Sequence, residues 1–354
     1  MISSIFFVIG LTAAFLIVLA SSARFIKRGF QFWPPPSAKS WQHGTFRALF
    51  RVFFTSLLVI SVADFDPGNV WRYLLGTTLL VIGFGFALNW TGFLGWKNAF
   101  GEATGLKTKG PFAVSRNPIY MVSIVGMAGW AILVNSLFLT SLLTLWACLY
   151  VAAPFVEELW MKENYGAEFE DYMADVPRFG SPAALAGVML TQLELKLPPL
   201  MIIVVCAGVM YWCAQSIQHE MVLAASLRVV LGGAAGVIAL IILIAALLTF
   251  RRHQTTINPL DPRQTQSIVT AGIYRYTRNP MYVSMFMALL GWGLFLGQLS
   301  VLFGLILYLV VITRLQIVPE ERILAEKFGE PFTHYRATTD RWITLSDKRC
   351  ARVP

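Results

Sequence analysis

The sequence predicts an all-α integral membrane protein with about nine transmembrane helices in two homologous units. The composition indicates a membrane protein, because 56% of the residues are hydrophobic, only 13% are charged and the mean hydropathy is +0.64. Several apolar runs reach the roughly 18–20 residues that cross a bilayer as a helix, and motifs recur in the two halves of the chain. The predicted spans lie near residues 2–20, 48–64, 70–95, 119–134, 137–156, 199–217, 224–250, 281–297 and 299–318.

The basic residues lie in alternate loops, which predicts the orientation of the helices. Lys and Arg are frequent in loops such as 96–116, whereas the short loops between them, such as 64–69 and 133–136, contain none. By the positive-inside rule, the basic loops and the C-terminus are cytoplasmic and the N-terminus lies outside. The net charge of +9 therefore indicates topology and attraction to anionic membrane lipids, and not a nucleic-acid interface.

The first apolar stretch is interpreted as a transmembrane helix, because no positive charge precedes it and a basic cluster follows it, the reverse of a signal peptide. The cysteines and histidines are too scattered for a metal site, and no metal is expected. They are Cys148, Cys206, Cys213, Cys350, His43, His219, His253 and His334.

An eleven-residue motif ending in Arg-Asn-Pro-x-Tyr occurs twice, each time directly before a long apolar run. The first copy is GPFAVSRNPIY at 110–120 and the second is GIYRYTRNPMY at 272–282, an offset of 162 residues. A second block, which contains Glu-Glu near its start, follows each hairpin at 156–179 and 319–342, with an offset of 163. Two blocks with matched spacing indicate an internal duplication.

The duplication divides the chain into two membrane units. Each unit has two spans, a basic loop that ends in the motif, a helical hairpin and a cytoplasmic amphipathic helix. We predict a first unit at 1–185, with an extra N-terminal span at 2–20, a linker at 186–198 and a second unit at 199–354.

The Arg-Asn-Pro motif predicts a helix start beside a positive charge. The residue before a proline avoids the helical region, so Asn117 and Asn279 are expected to be extended, and Asn is a favoured cap. Pro118 and Pro280 suit the first helical turn. The free N–H groups, the helix dipole and the arginine would together bind a carboxylate or phosphate. The alternative is a capped membrane helix with an interfacial arginine and tyrosine.

The glutamate pairs at 157–158 and 320–321 predict a second polar group at the same ends of the spans. Adjacent helical residues point about 100° apart, so the two carboxylates would contact two polar groups of one ligand, such as an ammonium and a hydroxyl. The alternative is that they stabilise the helix dipole. Acidic and basic groups at the cytoplasmic ends suggest a ligand of mixed charge that enters from the cytoplasm.

The second unit resembles the isoprenylcysteine carboxyl methyltransferases and phospholipid methyltransferases, a group of integral membrane enzymes. The resemblance rests on TAGIYRYTRNPMYVS and, after the hairpin, PEERILAEKFGEPFTHYRATTDRW; it covers most of 224–342 and, more loosely, 70–179. It implies S-adenosylmethionine as methyl donor, bound by the motif loop, the hairpin and the Glu-Glu helix. The cofactor-binding residues would be Arg278, Asn279, Pro280, Tyr282, Glu320 and Glu321, with Arg116, Asn117, Pro118, Tyr120, Glu157 and Glu158 as their counterparts in the first unit.

Departures from the family pattern favour the second unit as the active one. The family often carries Gly two residues after the motif tyrosine, where this chain has Val122 and Ser284. A glycine there lets a cofactor approach the backbone, so Val122 disfavours the first site, which would be a second site or would help to shape the substrate groove. Gly83-Phe84-Gly85 resembles the Gly-x-Gly of phospholipid methyltransferases, and simple helix packing is the alternative.

The implied reaction moves a sulfonium methyl group to an apolar or lipid-borne acceptor, and it needs mainly alignment and exclusion of water. A carboxylate or thiolate acceptor needs no general base, whereas an amine must lose a proton; no histidine is placed for that, so carboxylate or sulfur acceptors are favoured. Arg341 and Arg178 are predicted to contact an acceptor carboxylate, with anchoring to lipid headgroups as the alternative.

Two other classes of protein are alternatives. Parallel internal repeats are common in membrane transporters, but the polar blocks here lie at the ends of the spans and not near the bilayer midplane. An NADPH-dependent sterol-type reductase would share an aromatic-Arg-x-Pro-x-Tyr loop, whereas the Glu-Glu helix favours the methyltransferase.

Overall fold

The regular secondary structure of the described part of the chain is helical, apart from one isolated β-bridge between Glu220 and Gln298. This confirms the all-α prediction. The chain forms two compact units, Met1–Met189 and Leu190–Pro354. His253 and Cys350 lie outside the described residues. The computed structural model describes residues 1–26, 30–37, 39–102, 104–217, 219–252 and 267–344, without the side chains of 24–26.

The helices follow the predicted order along the chain. The helices up to the boundary of the units are α1 (Ile2–Ile26), α2 (Trp41–Ala63), α3 (Val70–Leu94), α4 (Trp96–Ala99), α5 (Pro118–Val134), α6 (Leu137–Asp175) and α7 (Pro182–Leu193). Those that follow are α8 (Pro199–Ser216), α9 (Ala225–Arg252), α10 (Pro280–Leu296), α11 (Leu302–Ile312), α12 (Val318–Phe328) and α13 (Glu330–Thr338).

Seven helices of the described chain are long and apolar enough to cross a membrane, so this is a multi-pass membrane protein. Helices occupy all nine predicted positions, but α5 and α10 have only 17 residues each, and the count of nine crossings stays a prediction. The second span begins earlier than predicted: α2 starts at Trp41 instead of near residue 48, and it therefore includes Arg47 and Arg51.

The sequence had suggested that the Glu-Glu segment of the first unit is a separate helix. In the structure this segment continues the preceding span. α6 runs for 39 residues through Pro154 and bends at Gly166, where φ is 51° and ψ is −127°. In the second unit Gly329 has φ 58° and ψ −126° and separates α12 from α13. Only glycine adopts this conformation readily. Equivalent glycines therefore bend the polar end of each hairpin in the same way.

The structure explains why the two repeated blocks differ in offset by one residue. Residues Thr313–Ile317 form a π-turn, the geometry that a single inserted residue produces in an α-helix. Pro319 has no N–H, so the carbonyl of Leu315 lacks its α-helical donor. That carbonyl accepts a hydrogen bond from the N–H of Leu195 at 2.9 Å. The insertion therefore lies directly before the glutamate pair of the second unit.

Glycines allow the helix that begins at each motif to pack closely on the preceding span. A Cβ on Gly83 of α3 would lie 2.2 Å from the backbone nitrogen of Gly126 in α5, and one on Gly291 of α10 would lie 2.8 Å from the carbonyl oxygen of Gly232 in α9. Small residues permit such close backbone contacts in membrane helices. A Cβ on Gly85 would meet no atom within 4 Å, so Gly83 is the packing residue of the Gly-x-Gly sequence.

Candidate functional site

The motif asparagine joins the start of a helix to the distal polar segment of the same unit, which is residues 156–179 in the first unit and 319–342 in the second. Asn279, directly before Pro280, has φ −130° and ψ 55°, which is outside the helical region as predicted but is not the extended conformation that was expected. Asn279 occupies the N-cap position of α10, as predicted, but its side chain makes no cap hydrogen bond. Instead, Nδ2 of Asn279 donates to the carbonyl oxygen of Arg341 at 3.0 Å, and Asn117 donates equivalently to Arg178 at 3.1 Å.

A buried hydroxyl group, which the sequence analysis missed, completes this connection. Thr277 Oγ1 accepts a hydrogen bond from the backbone N–H of Asn279 at 3.1 Å and donates to the carbonyl of Arg341 at 3.2 Å. Ser115 makes the same two bonds in the first unit, at 3.1 and 3.2 Å. The available signal was that both copies carry a hydroxyl residue two positions before the asparagine. The loop and the distal segment are therefore held in one arrangement in each unit.

Glu321 joins two arginines of the second unit in a compact ionic cluster. It lies 3.1 Å from Nη2 of Arg278 and accepts two hydrogen bonds from Arg341, at 3.1 and 2.7 Å. Glu321 and Arg278 expose only 11% and 10% of their side chains. Burial lowers the pKa of Arg278, whereas the hydrogen bonds to Glu321 raise the pKa of Arg341.

The first unit repeats this cluster with its own residues. Glu158 lies 3.0 Å from Nη2 of Arg116 and accepts a bidentate pair from Arg178 at 2.8 and 2.6 Å. These hydrogen bonds raise the pKa of Arg178. Two guanidinium groups face one carboxylate in each cluster, so each cluster keeps a net positive charge that favours an anion nearby.

The other glutamate of each pair has a different partner. Glu320 accepts a hydrogen bond from the phenol of Tyr282, and Glu157 accepts one from Tyr120. An ionised carboxylate has about four acceptor positions, so one phenol does not saturate it. The second carboxylate of each pair is already occupied by arginines. Among the described residues of the second unit, Glu320 is therefore the glutamate of the pair with more acceptor capacity left.

A buried tyrosine of the distal segment fixes the turn that precedes the motif. Tyr335 donates from its hydroxyl to the carbonyl of Tyr274 at 2.7 Å, and Tyr172 donates to the carbonyl of Phe112 at 2.6 Å. Burial raises the pKa of Tyr335, which keeps its phenol protonated as a donor. Both tyrosines align in the duplication, but the sequence alone had assigned them no contact.

The two units differ at the glutamate that faces the tyrosine. The indole N–H of Trp33, in the segment between α1 and α2, donates to Glu157 at 2.8 Å. The Trp33 ring also stacks on Phe46, with 4.1 Å between the ring centres. In the described part of the second unit, the hydrogen bond recorded for Glu320 comes from Tyr282. The first-unit carboxylate therefore has an additional donor from its own chain.

The motif arginines also differ in how many of their guanidinium nitrogens have a hydrogen-bond partner. Arg278 has two buried nitrogens, Nε and Nη1, without a hydrogen-bond partner among the described residues. In Arg116 only Nε lacks one, because Nη1 donates to the carbonyl of Met173 at 3.2 Å. An unpaired buried donor is unfavourable. The second unit therefore offers two guanidinium N–H groups to an acceptor such as a carboxylate.

Fold and site together define a multi-pass membrane protein with two copies of one polar site at the ends of its helices. The family model for phospholipid methyltransferases matches residues 71–168 and 227–331, together more than half of the chain. The chain belongs to the phospholipid methyltransferase family, once in each unit. Membership of this family supports the assignment of the chain as a membrane methyltransferase, as the motifs had indicated.

Three relatives add to this finding. An uncharacterised protein of Haemophilus influenzae is 38% identical over 63 residues, which is 18% of this chain and the whole of that protein. A nickel-cobalt-cadmium resistance protein of Alcaligenes xylosoxydans xylosoxydans is 33% identical over 79 residues, 22% of this chain and 37% of that protein. The protein-S-isoprenylcysteine O-methyltransferase of Schizosaccharomyces pombe is 38% identical over 80 residues, 22% of this chain and 33% of that protein. The match therefore spans only about a third of the last two relatives. No solved structure matches the chain.

Proposed function

We propose that the second unit binds S-adenosylmethionine and directs its methyl group to an apolar or lipid-borne acceptor. The observation that carries this proposal is the pair of unused groups at the motif: two buried N–H groups of Arg278 and the remaining acceptor positions of Glu320. S-adenosylmethionine carries a carboxylate together with an ammonium group and ribose hydroxyls. The arginine suits the carboxylate, and the glutamate suits the ammonium or a hydroxyl.

The remaining motif residues hold these two groups in place. Arg278 is tied to Glu321, and Tyr282 is tied to Glu320, so two contacts join the start of α10 to the start of α12. Asn279 adds a third contact through the Arg341 carbonyl. When bound, S-adenosylmethionine supplies an already activated methyl group. The chain therefore needs mainly to orient the reactants and to exclude water.

The first unit is proposed as a scaffold and not as a second equal site. Trp33 donates to Glu157, and the Met173 carbonyl takes one donor of Arg116. In the second unit, the corresponding groups of Glu320 and Arg278 are the ones that we propose to bind the ligand. The buried Val122 occupies the position where a glycine would admit the cofactor.

Arg341 has a positioning role in this proposal, because it orients Glu321, which in turn holds Arg278. Arg341 exposes 35% of its side chain, which leaves room for the predicted contact with an acceptor carboxylate. Arg178 would orient Glu158 in the same way in the first unit.

We propose a carboxylate or sulfur acceptor in preference to an amine. The fission yeast relative is, by its name, an O-methyltransferase of an isoprenylcysteine, which offers a carboxylate with an apolar tail. The family name specifies phospholipids. Both names support an acceptor that reaches the site from the membrane.

Calorimetric titration of the purified protein with S-adenosylmethionine tests the proposal. We expect one cofactor per chain. Glu320→Gln should weaken binding at least about 10-fold, because a charged hydrogen-bond acceptor contributes roughly 1.5–3 kcal/mol. The matched variant Glu157→Gln should change the affinity less than about 3-fold.

Other outcomes would contradict the proposal. If Glu157→Gln abolished binding and Glu320→Gln left it intact, the first unit would be the active one. Binding of NADPH without binding of S-adenosylmethionine or S-adenosylhomocysteine would favour the reductase. If none of the three bound, transport across sealed vesicles would be the next measurement.

A further inference from the structure

An open basic cavity of about 340 Å³ lies at the N-terminal end of α2, and no motif residue lines it. His43, Arg47 and Arg51 follow one another at intervals of four residues, so they lie along one face of the helix. The positive end of the helix dipole adds to their charge. The residues that line the cavity are Lys39, Ser40, His43, Gly44, Arg47 and Arg51.

The positive charge of this cavity is not balanced by the surrounding sequence. Residues 1–63 contain six Lys or Arg and no Asp or Glu. None of the ion pairs found in the described part of the chain involves Lys39, Arg47 or Arg51. An external anion is therefore the natural counter-charge.

His43 supplies an independent sign that a ligand belongs here. Its side chain is buried, with 7% exposed, and Nδ1 has no hydrogen-bond partner among the described residues. A buried polar atom without a partner is costly. His43 is one of the residues that line the cavity, so a ligand there can satisfy it.

The surface of α2 beyond the cavity indicates that the ligand has an apolar part. Further along the helix, Phe54, Leu58 and Val62 are exposed at 39%, 46% and 83%. Trp41 at the helix start is also exposed, as is typical of a membrane interface. A free phosphate would use the cavity alone, whereas a phospholipid would use both the cavity and the apolar surface.

We propose that this cavity, the α2 anion site, binds the phosphate-bearing headgroup of an anionic phospholipid. Lys39, Arg47 and Arg51 neutralise the headgroup, and the buried His43 adds a hydrogen bond. The site precedes residue 71, where the family match begins. The proposal therefore concerns residues outside the family match, and its test requires no methyl transfer.

Native mass spectrometry of the full-length protein in detergent tests the site, with phosphatidylglycerol and phosphatidylcholine of identical acyl chains as probes. We expect one phosphatidylglycerol to bind at least about 10-fold more tightly than phosphatidylcholine. Arg47→Gln/Arg51→Gln should lower that affinity roughly 10- to 30-fold, since each basic residue near a lipid headgroup contributes about 1 kcal/mol. The control Arg251→Gln/Arg252→Gln removes two exposed arginines at the end of α9 and should leave the affinity unchanged.

Three results would overturn the proposal. These are equal binding of the two lipids, an equal loss in the control variant, or displacement of the lipid by millimolar inorganic phosphate, which would indicate a free-phosphate site. If the double variant unfolds at a lower temperature than the wild type, the test is phosphatidylglycerol binding by His43→Gln instead. That variant should weaken phosphatidylglycerol binding several-fold, and unchanged binding would count against the site.

Discussion

Two adjacent glutamates with the same chemistry have different tasks in this protein. Glu321 is enclosed by two arginines, whereas Glu320 meets a neutral phenol. Adjacent positions on a helix point in different directions, so each carboxylate faces a different neighbour. One glutamate is therefore part of an ion-pair cluster, and its neighbour is the one that we propose to bind the ligand.

Removing the enclosed carboxylate should destabilise the second unit. Glu321→Gln leaves two arginines close together without their anion, and loss of one partner of a buried ion pair costs about 3 kcal/mol or more. The free energy of unfolding in mixed micelles with a denaturing detergent measures this loss. The control Glu326→Gln, exposed on the same helix, should change the value by less than about 0.5 kcal/mol. Equal effects of the two variants would contradict the assigned role.

At the scale of the elements, close packing between neighbouring spans positions the motif. α5 begins at the motif proline and is held against α3 by facing glycines. The π-turn before Glu320 performs a related task in the second unit, because it absorbs the inserted residue without rotating the glutamates away from the motif. The helix start and the glutamate pair therefore keep the same relation in both copies.

Two neighbouring glycines of α3 should respond differently to alanine. Gly83→Ala places a methyl group 2.2 Å from a backbone atom of α5, and such overpacking costs about 1–3 kcal/mol. Gly85→Ala meets no atom within 4 Å and should be neutral or stabilising by up to about 1 kcal/mol, because alanine favours the helix. Thermal unfolding in detergent compares the two variants. Equal stability would mean that Gly83 is not a packing residue.

At the scale of the whole molecule, two homologous membrane units occur in one chain, and their polar sites differ in their hydrogen-bond partners. The charge distribution predicts that these sites face the cytoplasm, because the basic loops lie on their side. The short loops between the basic ones would then face outwards.

Cysteine labelling in intact cells tests this orientation. In a variant without its native cysteines, Val222→Cys should react with a membrane-impermeant maleimide from outside, because Val222 is fully exposed in a short loop. Lys107→Cys, exposed in a basic loop, should react only after permeabilisation. The opposite pattern would place the proposed cofactor sites outside the cell.

The sequence by itself determined the features that depend on composition and local chemistry. Apolar run length identified the membrane helices, proline set the starts of α5 and α10, and the repeated motifs identified the family. These features require no knowledge of distant contacts, because bilayer thickness and backbone geometry act on consecutive residues.

Only the tertiary structure decided which residues meet. It directed the side chain of Asn279, which holds the predicted cap position, to the carbonyl of Arg341, separated the partners of Glu320 from those of Glu321, and brought Trp33 to Glu157. Each of these contacts joins residues far apart in the chain, and partner choice depends on how the helices pack. The different hydrogen-bond partners of the two sites were therefore decided by packing, although both motifs carry the same Arg-Asn-Pro-x-Tyr ending.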